Sequence, residues 1–515
     1  MPKPARIVIA FLLIVWTGGF AAASNEDVNE GIRAYQTRDF ARAREIFAQL
    51  VKTEPSARNF ELLAMSEAAV GQNDAAITHF QQSIRLGNHI ADVHYKLGLS
   101  YLQRKDTALG ARQILLALAI DPKLNSARYT LAVVLLDAGR AEEALPYLLQ
   151  LRGTSPCDAA VWANLARAQF EVGDSKAALR TIDEASHGMT NNVPLLVTLA
   201  AICSRYQQSQ KSRYLLESAN ELSPDDADIK LLLAKASLEA KEPVEAIAVL
   251  KDVAASEGKP GVIPFTRGLG LALTGQEASA EKEFSDAVNA SPDSVRYWLA
   301  LAWVYQLENR QEEALSTLAR VREKDSNNAI VPYRMGVSSF LLRHYDETIQ
   351  DCKEAIRMIP RYDQAYFLLG IARFEQGDSN AAQSAIEQAV SLAPENALYH
   401  RELGTILFKG GHPAEGKKEI DQAITLDPKA ALNYLARARL LAGTGDDELA
   451  IRDLETTVAL QPDNKDAYSE LAKLYQTAGQ PEKAAAMFAK AKEIQADPES
   501  EYRHDFLSGM ADPLR

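Results

Sequence analysis

An all-α superhelix of about fourteen stacked helix-turn-helix units, each of 34 residues, is the fold this sequence predicts. Three observations carry that reading. Eight prolines share one 34-residue register: Pro122, Pro156, Pro224, Pro292, Pro360, Pro394, Pro428 and Pro462, with Thr190, Gly258 and Ser326 at the other in-register positions between them. Ten residues after each register position stands a Gly or an Ala without exception, from Gly98 and Ala132 through Gly404, Ala438 and Ala472. Midway between these marks a Gly or Asn recurs, at Gly139, Gly173, Gly275, Asn309, Gly377, Gly411, Gly445 and Gly479.

Each element of the unit follows from these marks. The apolar run around the tiny residue is a first helix, and a position that admits only Gly or Ala marks close approach of a second helix. The Gly or Asn tolerates the left-handed conformation that closes a helix. A second helix follows, with small residues such as Ala144, Ala178, Ala246, Ala280, Ala382 and Ala484 facing the first. The register proline, lacking an amide donor, ends it.

Larger landmarks complete the pattern. Trp162, Trp298, Tyr366, Tyr434 and Tyr468 stand early in the first helices, Tyr101, Tyr305 and Tyr475 seven residues further on, and Phe80, Phe284 and Phe488 in second helices. The whole resembles the tetratricopeptide repeat (TPR) family over residues 24–496. The resemblance implies an alpha-alpha superhelix whose first helices line a concave groove. Its inner positions then fall four, seven, eleven, fourteen and fifteen residues after each register position. By that resemblance the groove of the second half presents Phe265, Leu269, Arg296, Leu299, Trp303, Tyr333, Val337, Phe340, Phe367, Ile371, Phe374, Arg401 and Phe408 to a protein or peptide partner. Exposed aromatic clusters of this kind mark interaction sites. If they line the groove, replacing Trp303 and Phe340 by alanine abolishes capture and leaves the melt unchanged. Some members of the family clamp a C-terminal carboxylate with Lys and Asn at inner positions. The pairs Ala163/Arg167, Leu231/Lys235, Phe367/Ile371 and Ser469/Lys473 do not reproduce that arrangement.

Two stretches break the pattern. Gln207-Gln208-Ser209-Gln210 replaces a Gly turn, and Gly258 to Pro264 lacks the register proline while carrying Pro260 and Pro264. The expected division is therefore a first repeat array over 24–258 and a second over 259–496, with the stretch near 258 read either as a joint or as a distorted, packed repeat. Residues 497–515, with Tyr502, Phe506 and Leu507 on one helical face, read as a capping helix or tail.

Residues 1–23 read as a secretory signal peptide: Lys3 and Arg6, the ten-residue apolar run Ile7 to Trp16, then Ala21-Ala22-Ala23. That predicts an exported, periplasmic or secreted protein with no transmembrane span after cleavage, or an N-terminal anchor if the segment is retained. The net charge of −13 disfavours nonspecific nucleic-acid binding, which needs a basic stripe. Three cysteines at Cys157, Cys203 and Cys352 form neither a disulfide framework nor a metal motif. The eight histidines make no HExxH array, and the chain contains no GxSxG elbow, no GKS or GKT loop and no complete GxGxxG. No catalytic, cofactor or metal residue is assigned. The sequence thus predicts a noncatalytic scaffold or adaptor binding a protein or peptide outside the cytoplasm. A structural component of an envelope or polysaccharide-export complex is the alternative, and a repeat array fused to an enzyme, which no motif supports, is the third.

Overall fold

The structure is a computed structural model and describes residues 25–155, 157–255 and 258–494. The expected signal peptide and the expected capping segment lie outside the described residues. Two compact units divide after Leu222. The first contains six helix pairs: α1 (Asn25–Gln36) with α2 (Phe40–Thr53), α3 (Ala57–Ala69) with α4 (Asn73–Arg85), α5 (Ala91–Gln103) with α6 (Thr107–Ile120), α7 (Asn125–Asp137) with α8 (Ala141–Thr154), α9 (Ala159–Glu171) with α10 (Ser175–Gly188), and α11 (Val193–Arg205) with α12 (Ser209–Leu222). The second contains eight: α13 (Ala227–Glu239) with α14 (Pro243–Leu250), α15 (Val262–Leu273) with α16 (Glu277–Ala290), α17 (Val295–Leu307) with α18 (Gln311–Lys324), α19 (Ile330–Leu341) with α20 (Tyr345–Met358), α21 (Asp363–Glu375) with α22 (Ser379–Leu392), α23 (Ala397–Lys409) with α24 (Pro413–Leu426), α25 (Ala431–Thr444) with α26 (Asp447–Leu460), and α27 (Lys465–Thr477) with α28 (Pro481–Glu493). The described residues contain no strand. The fold is the all-α repeat superhelix that the proline register predicts.

One turn closes every pair. Asp174 N–H donates to the Gln169 carbonyl at 2.9 Å and Gly173 N–H to Phe170 at 3.0 Å, with Gly173 at φ +85°. This doubly bonded closure satisfies the carbonyls orphaned at a helix end. The glycine-free stretch at 207 closes in the same way: Gln208 N–H reaches the Cys203 carbonyl at 2.8 Å and Gln207 sits at φ +58°. The apparent break is therefore no break in structure. Lys105, Lys241 and Arg343 also hold the left-handed conformation without being glycine. An L side chain there costs about 1–2 kcal/mol. Gln207 and Lys105 are both exposed, so Gln207→Gly and Lys105→Gly are each expected to raise stability by about 1 kcal/mol. A urea melt checks this, and an unchanged or lowered midpoint would show that the left-handed turn carries no strain.

In most pairs the second helix contributes one large side chain, 26 residues after the register position, to the centre of the pair. Phe80, Ile114, Leu148, Ile182, Phe284, Leu318, Ile386 and Leu454 are all buried there. The tiny residue of the first helix makes room for them. A Cβ on Gly370 would stand 2.5 Å from the Ile386 side chain. Phe488, in the last described helix α28, is 42% exposed at the same position, because no described helix follows to cover it.

The irregularity near 258 falls inside the second unit, not at the division between units. It shortens the second helix α14, which stops at Leu250, and α15 begins at Val262. From Pro260 onward the described chain is packed against α16 and α17. Gly261, at φ +77°, lies where a Cβ would meet the Ala287 carbonyl at 2.7 Å and the Tyr297 ring at 2.6 Å. Tyr297 Oη donates to the Pro260 carbonyl at 3.2 Å. Arg267 makes a two-pronged pair with Glu283 at 2.8 and 2.9 Å and also donates to the Leu250 carbonyl at 3.0 Å. Of the two readings, the packed, distorted repeat matches this geometry.

Candidate partner-binding face

The inner face of the second unit is built from its first helices. Across neighbouring repeats α13 touches α15, α15 touches α17, α19 touches α21 and α23 touches α25. Side chains seven and eleven residues after positions 258, 326 and 360 are caught between these helices. The consequence corrects the groove read from the sequence. Phe265, Leu269, Trp303, Tyr333, Val337, Phe340, Phe367, Ile371 and Arg401 are buried. They form the core between repeats rather than an open aromatic surface. The rings pack directly on one another: Phe265 on Tyr297 with centroids 5.0 Å apart, Tyr333 on Tyr362 at 4.9 Å and Phe367 on Tyr399 at 4.7 Å. A large ring at such a position fills the gap between adjacent helices, whereas a small residue leaves it open. Trp303 shows how tightly these side chains are enclosed, since its indole Nε1 has no hydrogen-bond partner among the described residues.

Four of the thirteen residues keep accessible surface. Arg296 is exposed, and Leu299, Phe374 and Phe408 are half-buried. The Arg296 guanidinium lies 4.4 Å over the Phe265 ring, and the Lys409 ammonium 4.8 Å over Phe374. Beside them the face offers groups that the aromatic pattern did not single out. Leu232 on α13 and Leu273 on α15 are exposed leucines. Lys235 on α13 and Lys259 just before α15 are exposed cations, and Lys235 feels the charges of both Lys259 and Arg296. Dense packing around Lys235 withdraws its ammonium from part of the bulk water although much of the side chain is open. That desolvation, then repulsion from Arg296 and Lys259, holds its pKa below the ordinary lysine range. No short motif announces this cluster, because three different repeats supply it at three different register places.

Further along the same unit an open polar cleft of about 950 Å³ is lined by Asp363, Gln364, Glu395, Asn396, Tyr399 and Arg401, among others. Two of its side chains have partners close by. Tyr399 Oη donates to Asp363 Oδ2 at 2.9 Å, and Arg401 Nε donates to Glu402 Oε1 at 3.0 Å. Burial, then the Asp363 carboxylate, raises the Tyr399 phenol.

Elsewhere the chemistry is equally quiet. The described residues hold no group of three or more His, Cys, Asp or Glu side chains able to bind a metal ion. Burial pushes the Cys203 thiol up to about 12 and raises Cys352 further, so neither is a ready thiolate. No described helix is long and apolar enough to cross a membrane.

Family models match the repeat pattern along much of the chain. Family models described as tetratricopeptide repeat match residues 135–203, 206–261 and 441–504, residues 61–125 and 367–431, and residues 295–320. The small glutamine-rich tetratricopeptide repeat-containing protein of Dictyostelium discoideum is 31% identical over 92 residues, which is 18% of this chain and 28% of that protein. The superkiller complex protein 3 of Mus musculus is 24% identical over 200 residues, 37% of this chain and 13% of that protein. A DnaJ homolog subfamily C member 7 homolog of Dictyostelium discoideum is 21% identical over 222 residues, 40% of this chain and 41% of that protein. The chain thus spans less than half the length of each of these relatives. Among solved structures, the Cut9 and Hcn1 hetero-tetramer of the APC/C gives a TM-score of 0.43 at 14% identity, covering 86% of this chain and 95% of that one. Yeast Tom70 gives 0.38 at 17% identity, covering 89% and 97%. With fourteen helix pairs closed by one turn and family matches distributed along both units, the chain belongs to the tetratricopeptide repeat family.

Proposed function

We propose that this protein is a noncatalytic interaction scaffold that holds a peptide or protein partner along the inner face of its second unit. The single observation that carries the reading is the face itself. First helices of neighbouring repeats stand side by side there and leave Leu232, Leu273 and Arg296 open to solvent on α13, α15 and α17. Such a ladder offers a partner several repeats' worth of contact without any moving part. The charged and apolar order of residues 1–23 supports export, so the proposed partner lies outside the cytoplasm.

The test is a photo-reactive amino acid placed in the full chain, in its native cell, at one of two exposed leucines. Leu273 lies on the inner face and Leu449 on the second helix α26. A discrete adduct from Leu273 and none from Leu449 is the expected outcome. Equal adducts from both, or none from Leu273, would contradict it.

A further inference from the structure

We infer that the inner face across α13, α15 and α17 binds an acidic peptide segment that also carries apolar side chains, through Lys235, Lys259 and Arg296 with Leu232 and Leu273 beside them. This rests on the scaffold reading above and names the chemistry of its partner.

The first argument is charge. Acidic groups outnumber basic ones 69 to 56 in this chain, so cations find carboxylates readily. Arg267, on α15, pairs with Glu283 through two bonds. Yet Lys235, Lys259 and Arg296 make no ion pair with any described carboxylate. Asp228 and Glu239 on its own helix attract Lys235 without pairing with it. Lys259 and Arg296 both repel Lys235, no described carboxylate pairs with any of the three, and the repulsion is relieved when an anion enters.

The second argument is orientation. Arg296 is stacked over Phe265, which fixes the guanidinium without neutralising it. Its N–H groups remain available to grip a carboxylate in the planar geometry that suits both groups. Phe265 is itself buried against Tyr297 and Phe284, so the platform is rigid.

The third argument selects the class of anion. Leu232 lies one helical turn from Lys235 on α13, on the same helix surface, and Leu273 ends α15. Their relative exposures are 39% and 46%. A polyanion without apolar groups would satisfy the cations and leave both leucines in water. A segment mixing Glu or Asp with Leu-like side chains covers both kinds of group. The cations stand on three successive repeats, so the segment is read along its length through side-chain carboxylates and needs no free C-terminus.

The test uses the full chain and a fluorescein-labelled, C-terminally amidated ten-residue peptide of alternating Glu and Leu, followed by fluorescence anisotropy. Expected is saturable binding that weakens as NaCl rises from about 50 to about 300 mM. It should weaken at least about tenfold in a Lys235→Gln, Lys259→Gln, Arg296→Gln triple variant. Lys235→Gln alone, at an exposed side chain, should lose about threefold with an unchanged melt, which keeps the idea testable if the triple variant folds poorly. A Lys-and-Leu peptide should not bind. The inference is overturned if the acidic peptide fails to bind, if Lys235→Gln and the triple variant bind it as wild type does, or if a single-stranded oligonucleotide of equal charge binds as tightly. An adduct at Leu273 that persists unchanged in the triple variant would sink the acidic segment while leaving the inner-face scaffold intact.

Discussion

Trp303→Ala is expected to lower the unfolding free energy by about 3–5 kcal/mol, the range for removing a large aromatic from a core. Trp303 is 4% exposed and packs in one cluster with Leu231, Phe265, Leu269 and Ala300. Alanine would leave an indole-sized void between α15 and α17 that neither helix can close without moving the repeats beside it. Trp303→Phe should cost much less, about 1–2 kcal/mol, since the buried indole N–H has no partner to lose. Phe340→Ala, at 8% exposed, should follow Trp303→Ala in direction. Urea melts of the three variants check the order. An unchanged melt for Trp303→Ala would return these rings to the surface and restore the aromatic groove read from the sequence.

Gly404→Ala is expected to cost about 2–3 kcal/mol through overpacking, although it adds a single methyl group to a helix. Gly404 on α23 faces Gly416 on α24, and the two backbones are in contact. A Cβ on Gly404 would lie 2.6 Å from the Gly416 carbonyl oxygen and 2.5 Å from the Ile420 side chain. A side chain could rotate away, but a helix carbonyl cannot. Gly411, in the turn between the same helices, separates this effect from the conformational one. It sits at φ +87° with nothing within 4 Å of an added Cβ, so Gly411→Ala should cost only about 1 kcal/mol. Comparable melts for the two variants would deny that close backbone approach is what the tiny residue in each first helix provides.

These two predictions also mark what could and could not be read from the chain. Helix count, turns and the packing of each pair were legible because each rests on a local rule repeated many times. Pro428 ends a helix, Gly411 reverses the chain and Gly404 admits its neighbour wherever those residues recur. Even Gln207, which breaks the sequence rule, keeps the turn, because the closing bonds are made by backbone and the strain is small enough to bear. The groove was harder. The family resemblance places Tyr333 and Phe367 on the side of the first helix that faces inward. It does not say how closely the next first helix approaches. That distance depends on the residues at the contact, and with rings there the gap is filled by the rings themselves. Lys235, Lys259 and Arg296 were invisible as a group for a related reason: Lys235 and Arg296 fall at inner positions but Lys259 does not, and only the stacking of three repeats brings them together. The shortened α14 belongs to the same class. The missing proline at 258 pointed to the right place, but the helix that yields is the one before it.

The claim at the centre of this account is that a partner lies along exposed positions of first helices. Backbone hydrogen exchange of the full chain, free and bound to the protein captured through Leu273, tests it most directly. The expected result is added protection in α13, α15 and α17 and none in α14, α16 and α18. Protection concentrated in those second helices, or spread evenly over both sets, would contradict it.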